Sequence, residues 1–378
     1  MVNGFNNRFK SLDTLRGLAI LGVLVVHSNQ YSAQVLEEKS FTLNKTIFLF
    51  LSLGKYGIEV FFVLSGWLLG TIYAGNTNLG RSYWYRRIAR IGPLWILFFG
   101  VEYLILILGF NSGLKQARFD VGSGFASNLL VIFILTITFS LWLIPQLWNT
   151  VIPGGWSIQA EVFHYVFFPI IKRFKPKNIL RLLIIINVIT LFFVKYSLGN
   201  SNIEKISRSY FVLAWIRLNF FSTIGYFMLG YFLSHLNVKE LNTHSAFEKF
   251  KHIGLLEIFL YAISFLLLPL NFGIQYQSLI YVGIMLFFNR ILFKQVLINK
   301  FLCSLGKYSY FIYFCHFLVL DALRYFMIRT NLIILPENSQ VFLFLFFFLI
   351  AITLSLFLGR ISFKYIEFPI MDRAKRFK

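Results

Sequence analysis

From Leu12 to the C-terminal residues, apolar side chains run in blocks of about twenty, separated by short polar stretches rich in lysine and arginine. A block of about 20 residues at 1.5 Å rise spans the ~30 Å hydrocarbon layer of a bilayer. The pattern predicts an all-α polytopic integral membrane protein with ten transmembrane helices, over 12–30, 46–74, 91–110, 157–171, 182–198, 210–234, 254–270, 277–293, 308–328 and 340–360. An eleventh apolar block, 126–148, breaks the parity. The basic strings Arg81–Arg90 and Lys172–Arg181 both carry the mark of the cytoplasmic side, and a full crossing at 126–148 would put them on opposite faces. That block is therefore expected to be re-entrant or broken, which is allowed at membrane depth where protein covers the backbone.

Charge sets the orientation. Only 13% of residues are charged, against roughly a quarter in soluble domains. A net charge of +21 would suggest nucleic acid in a soluble chain. Here 25 of the 36 lysines and arginines lie in 1–16, 75–92, 171–181, 235–253, 290–307 and 359–378. Alternate loops thus carry the basic residues, which predicts both termini in the cytoplasm and excludes a nucleic-acid partner. The first apolar block follows Arg8, Lys10 and Arg16 and is long enough to stay as a helix rather than be removed as a leader. Residues 1–378 read as one transmembrane domain without internal repeats, surrounded by membrane lipids. Cys303 and Cys315 have no metal-type spacing, so no metal is expected.

Ionisable residues inside apolar blocks are expensive, and each is a candidate for function. In the first helix, SLDTLRGLAILGVLVVHS, Arg16 and His27 are eleven residues apart. That is close to three turns, so they share a face, with His27 about 16 Å deeper. The structural alternative is a helix-end arginine beneath a histidine bonded between helices. Glu59 lies within the second block. Arg87 and Arg90, at i and i+3 before Gly92 and Pro93, would form a two-pronged clamp for phosphate oxygens; flanking charge that only sets topology is the alternative. In GGWSIQAEVFHYVFFP, Glu161 and His164 are one turn apart near a span's external mouth, with Trp156 as an interface anchor. Glu161 suits a catalytic or acceptor-binding carboxylate, or a partner for Arg217, the one arginine in mid-span. His316 and Asp321 suit packing and helix–helix hydrogen bonds.

Taken in order along the chain, these strings resemble the acyltransferase 3 family of membrane acyltransferases. An arginine followed after ten residues by histidine is matched by Arg16 and His27, and the family's R-x-x-R pair by Arg87 and Arg90, with Pro93 after it. Gly57–Gly66 is similar to the G-V-[DE]-x-FF-x-x-SG string, with Ile58 for valine and Glu59 as the acid. Trp156–Glu161 fits W-S-[LI]-x-x-E, and Glu367–Pro369 fits E-x-P. In the Y-[LF]-x-H-x-P string Tyr313 and His316 are present, but Leu318 replaces the proline.

The resemblance implies transfer of an acyl group, most simply acetyl from cytoplasmic acetyl-CoA, to a sugar hydroxyl of a surface polysaccharide or its lipid-linked precursor. It implies a multi-pass protein of a bacterial inner membrane, here without the extracytoplasmic esterase-like domain of some members. Acyl transfer needs a base for the hydroxyl proton and a stabiliser for the oxyanion. Catalysis is expected from His27, as base or acyl carrier, with Arg16 and Glu161. CoA phosphates are expected on Arg16, Arg87 and Arg90. The acceptor is expected near Glu59, Trp156, Ser157 and Arg217. The rival class is a transporter or flippase whose buried charges form a substrate path.

Overall fold

The computed structural model describes residues 2–35, 53–73, 79–107, 129–144, 147, 151–175, 178, 181–182, 185, 220–235, 299–330 and 340–377. Every regular element among them is a helix. In chain order these are α1 (Val2–Val35), α2 (Gly57–Ile72), α3 (Arg81–Ile107), α4 (Leu129–Ile137), α5 (Gly155–Ile171), α6 (Phe220–Ser234), α7 (Lys300–Lys307), α8 (Ser309–Arg329), α9 (Gln340–Ser362) and α10 (Phe368–Arg376). A π-helical stretch, Phe363–Glu367, joins α9 to α10 without a break. Four described helices are long and apolar enough to cross a membrane: Lys10–Val35, Arg81–Ile105, Ser309–Arg329 and Val341–Arg376. Their outward side chains are apolar: Ile96 is 68% exposed, Phe342 66% and Phe357 59%. Such surfaces belong against lipid, and the chain is a membrane protein. The expected crossings at 254–270 and 277–293, most of 182–198, and Arg217 lie outside the described residues.

Two boundaries differ from the sequence expectation. The basic string Arg81–Arg90 is not a loop: it forms the first turns of α3, with Pro93 inside the helix. Proline costs a helix one hydrogen bond, but the flanking Tyr83, Leu94, Trp95 and Phe98 are buried and pack the helix in place. In the second difference, the apolar block 126–148 holds only a nine-residue helix, α4. It breaks at Phe139, whose φ of 57° lies in the left-handed region where non-glycine residues are rare. The irregular stretch is partly covered by protein: Leu141 and Trp142 are buried, whereas Thr138 and Leu143 are exposed. Trp95 Nε1 donates to the Thr136 carbonyl at 3.1 Å, and the Trp142 amide donates to Gln159 Oε1 at 3.1 Å.

Packing sets the site. In α1, Leu12, Leu15, Ala19 and Val23 are buried at i, i+3, i+7 and i+11, with Ile20 and Leu24 beside them. This stripe lies against α7, α8, α9 and α2. Helices α2 and α6 meet at glycines: a Cβ on Gly66 would strike the Phe227 carbonyl, and one on Gly230 the Val63 carbonyl. In a bilayer, where lipid is as apolar as leucine, such close backbone approach is what holds helices together.

Candidate functional site

α5 starts abruptly. Gly154, at φ 73°, turns the chain into the helix. A Cβ there would lie 2.8 Å from both Phe317 Cε2 and Tyr313 Oη, so the turn admits only glycine. The Gly154 carbonyl accepts from Tyr313 Oη at 2.8 Å, and Ser157 Oγ donates in turn to Tyr313 Oη at 2.8 Å. These bonds fix the start of α5 against α8. Six residues on, Glu161 is buried and gathers hydroxyls from three helices. It accepts from Ser65 of α2 at 2.8 Å, from Tyr310 of α8 at 2.5 Å, and from Tyr165 one turn along α5.

The same two tyrosines carry the arginines of α3. The Arg87 guanidinium lies 5.3 Å from the Tyr165 ring centroid and 6.0 Å from that of Tyr83, whose hydroxyl donates to the Tyr165 carbonyl at 2.8 Å. Arg90 lies 4.6 Å from the Tyr310 centroid, near enough to Glu161 and to Glu367 for their charges to interact. Arg16 pairs with Asp13 at 3.1 Å and feels the charge of Arg90. Residues far apart in sequence thus form one cluster: Arg16, near the middle of α1, stands with Arg87 and Arg90 of α3, and Glu161 braces the latter two through two phenols.

His27 lies eleven residues along α1, about 16 Å from Arg16 at 1.5 Å per residue. It is half-buried rather than sealed within the protein. Gln30 Oε1 lies 2.9 Å from Nδ1; with that oxygen accepting, the ring proton sits on Nδ1 and Nε2 is the unprotonated nitrogen. His316 stands with its ring centroid 5.4 Å from that of His27, and Phe317 at 4.6 Å. Beside Glu161 lies a small cavity of about 30 Å³ lined by Ile58, Phe61, Phe62, Ser157, Ile158, Glu161, Ser309, Tyr310 and Tyr313. Of its lining, Tyr310 touches Arg90, and Tyr313 has its ring centroid 5.8 Å from that of His316.

Of these expected residues, Glu161 and Ser157 line the cavity; Arg16, Arg87 and Arg90 gather near Glu161, and His27 lies apart from them along α1, which is not the expected arrangement. Glu161 sits with the arginines, not at the mouth opposite them. Trp156, read as an interface anchor and sugar platform, is 7% exposed and packs edge-on to Phe62, with centroids 6.5 Å apart. Its ring belongs to the core formed with Leu12, Leu15 and Phe62 because α5 buries that face against α1 and α2. His164, one turn from Glu161, is fully buried against Phe227 and 3.2 Å from Thr223, facing α6. Glu59 is buried in the first turn of α2, within electrostatic reach of Tyr313. His316, read as packing, is fully buried and packs its ring against that of His27. Sequence reasoning missed Ser65, Tyr165, Tyr310 and Gln30. Helical spacing offered a signal for two of them, since Tyr165 is i+4 from Glu161 and Gln30 is i+3 from His27. Among the described residues no group of His, Cys, Asp and Glu is arranged to hold a metal ion.

Residues 9–360 match the acyltransferase 3 family model, described as an acyltransferase domain. The chain is 28% identical over 193 residues to the "O-acetyltransferase OatA" of Staphylococcus aureus strain NCTC 8325, covering 48% of this chain and 28% of that protein. It is 23% identical over 387 residues to the "Putative O-acetyltransferase SACOL0978" of Staphylococcus aureus strain COL, covering 95% of this chain and 56% of that one. The chain therefore spans about half or less of the curated relatives it matches. No solved structure matches it.

Proposed function

The chain belongs to the acyltransferase 3 family, and from that premise we propose that it moves an acetyl group from acetyl-CoA to a sugar hydroxyl of a bacterial surface polysaccharide or its lipid-linked precursor. The observation that supports this reading is the separation of two groups along α1: the cluster of Arg16, Arg87 and Arg90 and, about 16 Å further along the helix, His27 with its Nδ1 held by Gln30. Acyl-CoA has the same polarity, with phosphates at one end and the thioester at the far end of an extended arm. Arg16, Arg87 and Arg90 bind the phosphates. Glu161 acts at one remove, because its bonds to Tyr165 and Tyr310 hold the rings on which Arg87 and Arg90 rest. The arginine end faces the cytoplasm, as the basic loops predict.

At the far end His27 Nε2 takes the proton of the acceptor hydroxyl as its oxygen attacks the thioester carbonyl carbon. The carbon–sulfur bond then breaks and the CoA sulfur leaves, taking up the proton that His27 holds. The ester forms, and the base is restored.

Two measurements test this. Ester-linked acetate on the host's surface glycans should fall when the gene is deleted and return with the wild-type copy; glycans equally acetylated in both strains would sink the reading. For the donor end, Arg87→Ala and Arg90→Ala should each weaken CoA binding to the purified protein by about tenfold, with lysine restoring it only in part because it lacks the planar fork. Calorimetry showing wild-type affinity in both alanine variants would remove the clamp from the scheme.

A further inference from the structure

Beyond His27 the polar face of α1 does not stop. Gln30, Tyr31 and Gln34 follow at i+3, i+4 and i+7, all on the side of His27. α8 runs alongside in the same direction, so His316 meets His27 and, two turns later, Arg324 meets Tyr31 and Gln34. Arg324 Nη1 donates to Gln34 Oε1 at 2.9 Å, and its guanidinium lies 5.7 Å from the Tyr31 centroid. Its own-helix acid, Asp321, is 4.0 Å away, at the limit of an ion pair. His316 is fully buried, with Nδ1 3.0 Å from the Ile312 carbonyl and Nε2 without a hydrogen-bond partner among the described residues.

A helix-end arginine that only set topology would point to water or to its own acid. Arg324 instead reaches across to the neighbouring helix, and a fully buried imidazole nitrogen has no hydrogen-bond partner among the described residues where the two helices meet. Polar groups placed this way along otherwise apolar helices mark a substrate path. Their chemistry selects the substrate. Two primary amides offer donors and acceptors together, Tyr31 adds a ring, and Asp321 offsets the charge of Arg324. That set suits the hydroxyls and apolar faces of an uncharged sugar. A free anion would call for an uncompensated cation.

We propose that the ends of α1 and α8 beyond His27 form the acceptor subsite: Gln34, Arg324 and Tyr31 hold a neutral sugar unit so that a hydroxyl of the glycan meets His27 Nε2. The inference rests on the acyl-transfer reading and moves the acceptor away from Trp156 and Glu161. Its test uses the full chain, purified, with acetyl-CoA as donor and de-esterified glycan from the host envelope as acceptor probe, split by anion exchange into neutral and acidic fractions. Gln34→Ala and Arg324→Ala should raise the concentration of neutral glycan giving half-maximal acetylation by about tenfold or more. The half-saturating acetyl-CoA concentration and CoA binding should stay at wild-type values, which a general structural defect would not spare. Gln34 is exposed, so its variant carries the test if Arg324→Ala does not fold. Unchanged glycan dependence, donor and glycan constants shifting together, or acetylation confined to the acidic fraction would overturn the subsite while leaving acyl transfer in place. Wild-type protein that acetylates neither fraction would overturn the acyl-transfer reading and the subsite with it.

Discussion

Replacing His27 by alanine should abolish acyl transfer, by more than about a hundredfold, because loss of a positioned general base typically costs 10²–10⁴ in rate. Expression and membrane insertion should stay near wild type. The residue is only half-buried, and its side chain is hydrogen-bonded to Gln30 on its own helix, so little tertiary structure hangs on it. The near neighbour His316 should not rescue the variant, since its ring is fully buried and an acceptor hydroxyl does not reach it. Turnover of acetyl-CoA on glycan by the purified variant is the measurement. A residual rate above about a tenth of wild type would show that His27 is not the base.

Changing Glu161 to glutamine should weaken donor binding about ten- to a hundredfold, although Glu161 is braced by phenols and a serine rather than paired directly with an arginine proposed to hold the donor phosphates. The carboxylate accepts from Ser65, Tyr165 and Tyr310. A glutamine amide offers one acceptor oxygen and turns its NH₂ toward a hydroxyl that needs an acceptor. A buried group left unsatisfied costs about 1–3 kcal/mol, and every 1.4 kcal/mol is tenfold in affinity. The displaced rings of Tyr165 and Tyr310 no longer seat Arg87 and Arg90, so the loss appears in CoA affinity. Tyr310→Phe should reproduce part of it, since it keeps the ring beneath Arg90 but drops the bond to Glu161. Calorimetry with CoA decides. Unchanged donor affinity in Glu161→Gln, with a raised glycan requirement instead, would return Glu161 to the acceptor side where its place in the sequence first suggested it.

The contrast over Glu161 shows where one-dimensional reasoning stops. By itself the sequence determined that this is a helical membrane protein, because span length and charge alternation are properties of consecutive residues set against bilayer thickness. It also determined that Arg16 and His27 share a face about 16 Å apart, since helix pitch alone fixes that. The order of the motifs placed the chain among membrane acyltransferases, as the match over 9–360 shows. Tertiary structure decided which motifs meet. The Gly66–Gly230 approach draws α2 onto α6, the Gly154 turn locks α5 against Tyr313 of α8, and only then does Glu161 fall between Ser65, Tyr165 and Tyr310. The same packing sends the Trp156 ring into the core and turns His316 toward His27. A helix fixes the face a residue occupies, but the neighbour that face meets is chosen by close contacts between helices far apart in sequence, and no local pattern encodes it.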